Sequence, residues 1–74
     1  MEQVNINIRK RRKELGMSQD VLAKKIGYTD RSSIAKIETG VVDVTIIQLR
    51  KIAAALETTP LELLDYLWKD DSEE

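Results

Sequence analysis

Residues 17–40 read MSQDVLAKKIGYTDRSSIAKIETG and carry the pattern of two short helices around a glycine-containing turn. Ser18 is a favourable N-cap for the first of these helices. The apolar residues that follow recur at the spacing of one helical face, and they are Val21, Leu22 and Ile26. This spacing predicts a helix that ends near residue 26 and buries one side against a core.

A second helix follows the turn, capped by Thr29 or Asp30 and extending to about Thr39. Ile34 and Ile37, three residues apart, give it one narrow inner face. Two short helices joined by a tight turn with glycine form the supersecondary signature of a helix-turn-helix. A helical corner in any small bundle gives the same spacing, so spacing alone leaves both interpretations open.

The outer face of this second helix is short, polar and basic, and its residues are Arg31, Ser32, Ser33, Ala35 and Lys36. A helix that enters the DNA major groove, about 12 Å wide, reads bases with donors and acceptors near its N-terminus. Arginine and lysine side chains can contact guanine, and serine hydroxyls can contact bases or phosphates. The composition therefore favours a reading helix, although each residue taken singly could be a solvated surface position.

Capping signals indicate three further helices. One should cover about residues 5–15, another follows Thr45 with Gln48 completing a capping box, and the last covers 60–67 after Thr59. Their expected inward residues are Val4, Ile8 and Leu15, then Ile46, Leu49, Ile52, Ala53 and Leu56, and finally Leu61, Leu64 and Leu67.

Each of three glycines follows a helical stretch, as C-terminal caps do: Gly16, Gly27 and Gly40. No segment shows the alternation of a strand. We therefore expect an all-α fold of five helices, with the helix-turn-helix formed by the second and third. Residues 1–69 should form a single domain, and the acidic tail 70–74 should be disordered.

The composition excludes several classes of protein. The 74-residue chain has no cysteine and no histidine, so it has no disulfide framework and no ordinary zinc site, and we expect no metal or other cofactor. Neither a signal peptide nor a membrane-spanning run is evident, which fits a cytoplasmic protein without a membrane partner. Catalysis is not expected, because no nucleophile–base pair or clustered carboxylates stand out. A domain this small needs a stabilising partner, and a second copy is favoured.

Charge is divided unevenly along a chain whose net charge is −1. Residues 1–40 hold nine Lys or Arg against five Asp or Glu, a balance of +4, whereas residues 41–74 hold three against eight, a balance of −5. A basic half beside an acidic half is typical of a nucleic-acid-binding module that carries a separate second surface.

Four segments together resemble the lambda-repressor-like helix-turn-helix family, which includes phage repressors and Cro proteins. They are IRKRRKELG at 8–16, MSQDVLAKKIG at 17–27, SIAKIETG at 33–40 and LRKIAAAL at 49–56. The resemblance covers about residues 5–66 and is specific because several motifs keep fixed offsets. It implies a DNA-binding transcriptional regulator whose partner is double-stranded DNA.

The resemblance also implies roles for single residues. Arg31, Ser32 and Lys36 match base-contacting positions, and Ser33 would touch a phosphate or a thymine methyl. The remaining positions are Gln19, which would donate to a phosphate and brace the start of the reading helix, Thr39, which would contact a phosphate, and the structural pair Arg12 and Glu38.

The sequence departs from the family pattern in two places. The turn before Ile34 is one residue longer than the commonest form, which blurs the match at Arg31 more than at Lys36. The loop 41–44, VVDV, is apolar and acidic where many relatives are basic. Fewer phosphate contacts there would give a shallower salt dependence, although amides at the start of the fourth helix could still hold a phosphate.

The C-terminal region has more apolar residues than one helical face can bury, and its candidates for an exposed patch are Leu63, Tyr66, Leu67 and Trp68. Trp68 could instead close the core of its own chain. The family commonly forms dimers near the fifth helix, and a two-fold pair would place two reading helices about 34 Å apart on an inverted repeat.

We therefore expect a homodimeric transcriptional regulator, a repressor or self-regulating controller. The alternative is a protein-interaction module of the antitoxin or anti-regulator type that keeps the fold and binds a protein partner through its C-terminal helix. Salt-dependent DNA binding separates the two.

Overall fold

The computed structural model describes residues 3–64. Four helices have both ends within this range: α1 (Gln3–Glu14), α2 (Gln19–Lys25), α3 (Ser32–Glu38) and α4 (Ile46–Ala55). A fifth, α5, is helical over 60–64, as far as the description extends. The five predicted helices are confirmed, and residues 3–64 contain no strand.

The local signals that start α2, α4 and α5 act as the sequence predicts, whereas the N-cap of α3 is Arg31, without a side-chain cap, and not the predicted Thr29 or Asp30. The Ser18 hydroxyl accepts the backbone N–H of Val21 at 3.1 Å and starts α2. Thr45 and Gln48 form a reciprocal capping box, in which each side chain bonds the other's backbone N–H, at the start of α4. The Thr59 hydroxyl accepts the backbone N–H three residues further on, at 3.1 Å. These bonds satisfy donors that a helix leaves unpaired in its first turn.

The turn between α2 and α3 depends on Gly27. Its φ of 88° lies in the left-handed region, which a residue with a Cβ adopts only with strain. The chain then reverses tightly enough for the Tyr28 N–H to donate to the Ala23 carbonyl at 2.9 Å. This closure ends α2 and sets the direction in which α3 leaves the turn.

One apolar cluster, drawn from all five helices, forms the core. Its buried members are Ile8, Leu22, Ala23, Ile26, Ile34, Ile37, Leu49, Ile52, Ala53, Leu56 and Leu63. Val4 and Leu15 are partly buried against it, so α1 presents the side that the sequence predicts. The isoleucines of α3 face this cluster, which leaves the opposite side of α3 to solvent.

In α2 and α4, one expected core residue each is exposed. Val21 is 44% exposed because α2 faces the core with Leu22, Ala23 and Ile26. Ile46 is 68% exposed because the buried stripe of α4 starts one turn later, at Leu49. In both helices the buried apolar face is narrower than the sequence pattern predicts.

The inward face of α5 also differs from the prediction. Leu63 is buried at 2% exposure, whereas Leu61 and Leu64 are 66% and 51% exposed. The Asn7 amide donates to the Leu63 carbonyl, which holds α5 against α1 in this rotation. Leu63 therefore belongs to the core and not to an exposed interface. Tyr66, Leu67, Trp68 and the tail 70–74 lie outside the described residues.

Candidate nucleic-acid interface

The solvent side of α3 carries the residues that the sequence assigns to DNA reading. Arg31, Ser32 and Lys36 are exposed, and Ser33 is half-buried beside the core residue Ile34. The structure thus places two cations and one hydroxyl on one short, unobstructed face.

A buried ion pair fixes the C-terminal end of α3. The Arg12 guanidinium donates to Glu38 twice, from Nε to Oε2 at 2.6 Å and from an Nη to Oε1 at 3.1 Å. The two side chains are 9% and 2% exposed, and the other Nη of Arg12 donates to the Met17 carbonyl at 2.7 Å. The bidentate geometry joins α1 to the last turn of α3. The resemblance implied this pair, and its burial gives it a structural role.

Gln19, the first residue of α2, donates from its amide nitrogen to Glu38 Oε1 at 3.1 Å. The sequence interpretation placed this bracing contact at the start of the reading helix, and the structure moves it to the end. A buried carboxylate needs hydrogen-bond donors to offset the cost of its burial, and the Gln19 amide is a further donor to Glu38 beside Arg12. The second amide hydrogen of Gln19 can still donate to a phosphate or a base, and its amide oxygen can accept only from a base.

Asn5 adds a third link to α3, and the sequence gave no sign of it. Its amide donates to the Ile37 carbonyl at 2.6 Å, and the side chain is buried. The Ile37 carbonyl also accepts the backbone N–H of Gly40 at 3.1 Å, so the Asn5 amide uses its second lone pair and ties α1 to the last turn of α3. An asparagine in a helix pattern resembles a surface residue, and only the packed structure shows that it faces inward.

Asp30 lies two residues before the start of α3 and bonds its first residue, Ser32. Its Oδ1 accepts the backbone N–H of Ser32 at 2.9 Å and the Ser32 hydroxyl at 2.6 Å. These bonds hold the pKa of the Asp30 carboxyl below its usual value, the hydroxyl contributing most and the backbone N–H next. The carboxylate is therefore ionised at neutral pH, beside the reading face.

Past the end of α3, donor groups bond to the helix itself. The Thr39 hydroxyl donates to the Ala35 carbonyl at 2.9 Å, so a phosphate contact would require it to rotate. The backbone N–H groups of Val41 and Val42 both point to the Lys36 carbonyl, at 2.9 and 3.3 Å. The loop 41–44 thus offers neither basic side chains nor these two amides to a phosphate.

A helix with an exposed polar face can contact base edges in the major groove when the rest of the domain holds it in a fixed orientation. Asn5 and Arg12 of α1 and Gln19 of α2 supply this support, all of it at the last turn of α3. The arrangement defines a helix-turn-helix domain of the DNA-binding type.

Comparison with known proteins gives the same class. A helix-turn-helix family model matches residues 8–63. A curated relative from Methanothermobacter thermautotrophicus, described as an uncharacterised HTH-type transcriptional regulator, is 38% identical over 63 residues, which cover 85% of this chain and 90% of the relative.

Two solved structures illustrate the likeness. The restriction-modification controller protein C.Esp1396I, as a tetramer with its natural 35 base-pair operator, superposes with a TM-score of 0.79 at 35% identity, over 92% of this chain and 88% of that one. The P22 c2 repressor, bound to a synthetic operator, gives a TM-score of 0.76 at 28% identity, over 86% and 96%.

The chain belongs to the lambda-repressor-like helix-turn-helix family of phage repressors and controller proteins. It is a helix-turn-helix transcriptional regulator, and this family is a class of DNA-binding proteins rather than of enzymes. None of the helices in the described range 3–64 has the length and apolar character that a membrane span requires.

Proposed function

We propose that the protein binds an inverted-repeat operator as a homodimer, with α3 of each protomer in the major groove, and acts as a repressor or self-regulating controller. The observation that carries this proposal is the exposed face formed by Arg31, Ser32 and Lys36 on a helix whose other side is buried. A surface that merely solvates the fold would not need three separate links holding the helix in place.

The relatives support the proposal through what they bind. C.Esp1396I is known on its natural operator and the P22 c2 repressor on a synthetic one. This chain keeps the same helix-turn-helix over nearly its whole length. A dimer with two-fold symmetry would bring two reading helices to half-sites about one helical turn apart.

Selection from random double-stranded oligonucleotides at about 0.1 M salt tests this proposal directly. We expect enrichment of an inverted repeat with half-site centres about 10 base pairs apart. Specific binding should exceed by about a thousandfold or more the roughly 10⁻⁴–10⁻⁶ M affinity typical of non-specific contacts. A pool that stays random after repeated rounds contradicts the proposal.

Within residues 3–64, the exposed side of α5 is where we propose that part of the dimer interface lies. Leu61 and Leu64 leave 66% and 51% of their surface in solvent and lie one helical turn apart, and adjacent exposed apolar residues often mark a protein interface. The sequence candidates Tyr66, Leu67 and Trp68 follow directly along the chain. Burial of this side against a second copy would supply the stabilisation that a domain of this size needs.

Replacement of Leu64 by glutamate should therefore weaken the dimer. Placing a carboxylate in an apolar interface leaves it without a partner, so we expect the dimer dissociation constant to rise roughly tenfold or more. Sedimentation equilibrium without DNA measures this change. Val21→Glu is the matched control, since Val21 is also a half-exposed aliphatic residue but lies on α2. Equal effects in both variants would place the interface elsewhere.

A specific observation keeps the protein-interaction module as a second candidate function. Four aliphatic side chains on and after the loop that follows α3 are exposed: Val41, Val42, Ile46 and Ile47. A pure DNA-binding surface has little use for them, whereas a protein partner does. Absence of DNA binding together with binding of a protein partner would favour this function.

The single domain 1–69, the acidic tail and the cytoplasmic location remain predictions.

A further inference from the structure

Asp30 and Ser32 form an element of the reading face that differs in chemistry from its neighbours. Asp30 is exposed, and one of its oxygens accepts both the backbone N–H and the hydroxyl hydrogen of Ser32. The other oxygen, Oδ2, accepts no hydrogen bond from residues 3–64. The pair is thus held in one orientation while half of the carboxylate faces solvent.

The hydrogen bond at 2.6 Å decides what Ser32 can offer to DNA. A hydroxyl has one hydrogen and two lone pairs, and the hydrogen of Ser32 is committed to Asp30. Its Oγ therefore presents only acceptor lone pairs outward. Asp30, being ionised, is also acceptor-only. Arg31 and Lys36, by contrast, present only donors.

We propose that the Asp30–Ser32 pair determines base specificity by accepting a hydrogen bond from an exocyclic amino group, cytosine N4 or adenine N6, at one position of each half-site. This inference rests on the proposed function, because it assumes that α3 lies in the major groove. Carboxylates accept from cytosine N4 in known complexes, and only cytosine and adenine expose amino donors in that groove.

The pair also acts by rejection. On the strand that the pair faces, guanine presents O6 and N7 and thymine presents O4, all of them acceptors, so the carboxylate would meet either base with no hydrogen between them, and the amino group of that base pair would lie toward the opposite strand. An unpaired charge next to a negatively charged duplex is repelled unless a donor compensates it. Such a residue lowers affinity for wrong sites more than it raises affinity for the right one, which is a common source of specificity.

Asp30→Asn separates this role from a structural one. Asparagine caps helices about as well as aspartate and has the same shape, so a residue that serves only as a cap tolerates the change without altering base preference. For the wild type we expect a preference on the order of tenfold for cytosine or adenine at one position. Asp30→Asn should reduce that preference to about twofold or less, and leave the other positions of the consensus unchanged. Selection with sequencing, run in parallel on both proteins, gives these values.

Asp43→Asn is the matched control, because Asp43 is an exposed carboxylate in the loop 41–44 and not on the reading face. It should raise affinity for all sequences alike, through reduced repulsion of the phosphates, and keep the wild-type consensus. Ser32→Ala should broaden the same position that Asp30→Asn broadens, since it removes the group that orients the carboxylate.

The outcomes are distinguishable. A wild-type consensus that Asp30→Asn leaves intact overturns this inference and leaves the proposed function standing. Equal losses of affinity for all four bases at the positions that Asp30→Asn changes also overturn it. If the wild type selects no sequence at all, the proposed function fails, and this inference fails with it.

Discussion

Combined replacement of Arg31 and Lys36 by alanine should abolish sequence-specific DNA binding while the fold persists. Each side chain can make a base contact worth about 1–3 kcal/mol of discrimination, so the loss of both lowers operator affinity roughly a hundredfold or more. Both residues are exposed and neither contributes to the apolar core. The circular dichroism spectrum and the thermal unfolding midpoint should therefore stay close to those of the wild type.

A second variant separates base reading from charge. Lys24→Ala with Lys25→Ala also removes two positive charges, but from exposed positions at the end of α2. This control should weaken binding to all sequences modestly and preserve the consensus. Titration of the selected operator and of a scrambled duplex at about 0.1 M salt measures both effects. Equal losses in the two variants would mean that α3 contributes only charge, and the assignment of the reading helix would then be wrong.

Helix starts could be predicted from the sequence because capping is local. Ser18, Thr45 and Thr59 each bond a backbone N–H three residues away, so a window of four residues contains all the information. The turn at Gly27 is local in the same way. The isoleucines of α3 also followed prediction, because only one side of that helix is apolar enough to be buried.

The rotation of α5 could not be predicted because its sequence allows more than one inward face. Leu61, Leu63 and Leu64 are chemically equal, and a change of one residue turns the helix by about 100°. The choice between them depends on Asn7, which bonds the Leu63 carbonyl from a position 56 residues earlier. A contact of that sequence separation leaves no trace in a local pattern.

The candidate site also combines features that the sequence predicts with features that it does not. The exposed cations of α3 were evident from composition, and the Arg12–Glu38 pair was implied by the family resemblance. The supports contributed by Asn5 and the position of Gln19 were not, because a polar residue on a helix gives no indication of whether its amide faces water or a buried carbonyl. Asp30 was recognised only as a candidate cap, although its spacing to Ser32 is that of a side-chain turn motif.

Removal of the Glu38 carboxylate should destabilise the domain more than any change on its surface. Glu38→Ala leaves the Arg12 guanidinium buried without its counter-charge, and breaking a buried pair in this way costs about 3–5 kcal/mol. A chain of 74 residues has a free energy of unfolding of roughly 4–11 kcal/mol at 0.05–0.15 kcal/mol per residue. The variant is therefore expected to be partly unfolded at 37 °C, and urea denaturation followed by circular dichroism measures the loss.

An exposed ion pair in the same chain provides the control. Arg11 and Glu14 are 3.3 Å apart, with side chains 29% and 43% exposed, so solvent screens their attraction. Glu14→Ala should change the free energy of unfolding by about 1 kcal/mol or less. A loss for Glu38→Ala as small as this would contradict the structural role assigned to the buried pair.

Replacing both buried charges separates stability from positioning. Arg12→Met with Glu38→Leu removes the two charges together, so neither remains uncompensated, and most of the lost stability should return. The leucine at position 38 cannot accept a hydrogen bond from the Gln19 amide, however. Apolar contacts between the two new side chains also allow α3 to change its orientation more freely than directed hydrogen bonds do. We expect the double variant to fold yet to bind the selected operator roughly tenfold more weakly, because the end of α3 is less firmly oriented. A folded double variant that binds the selected operator with wild-type affinity would show that packing alone positions the reading helix.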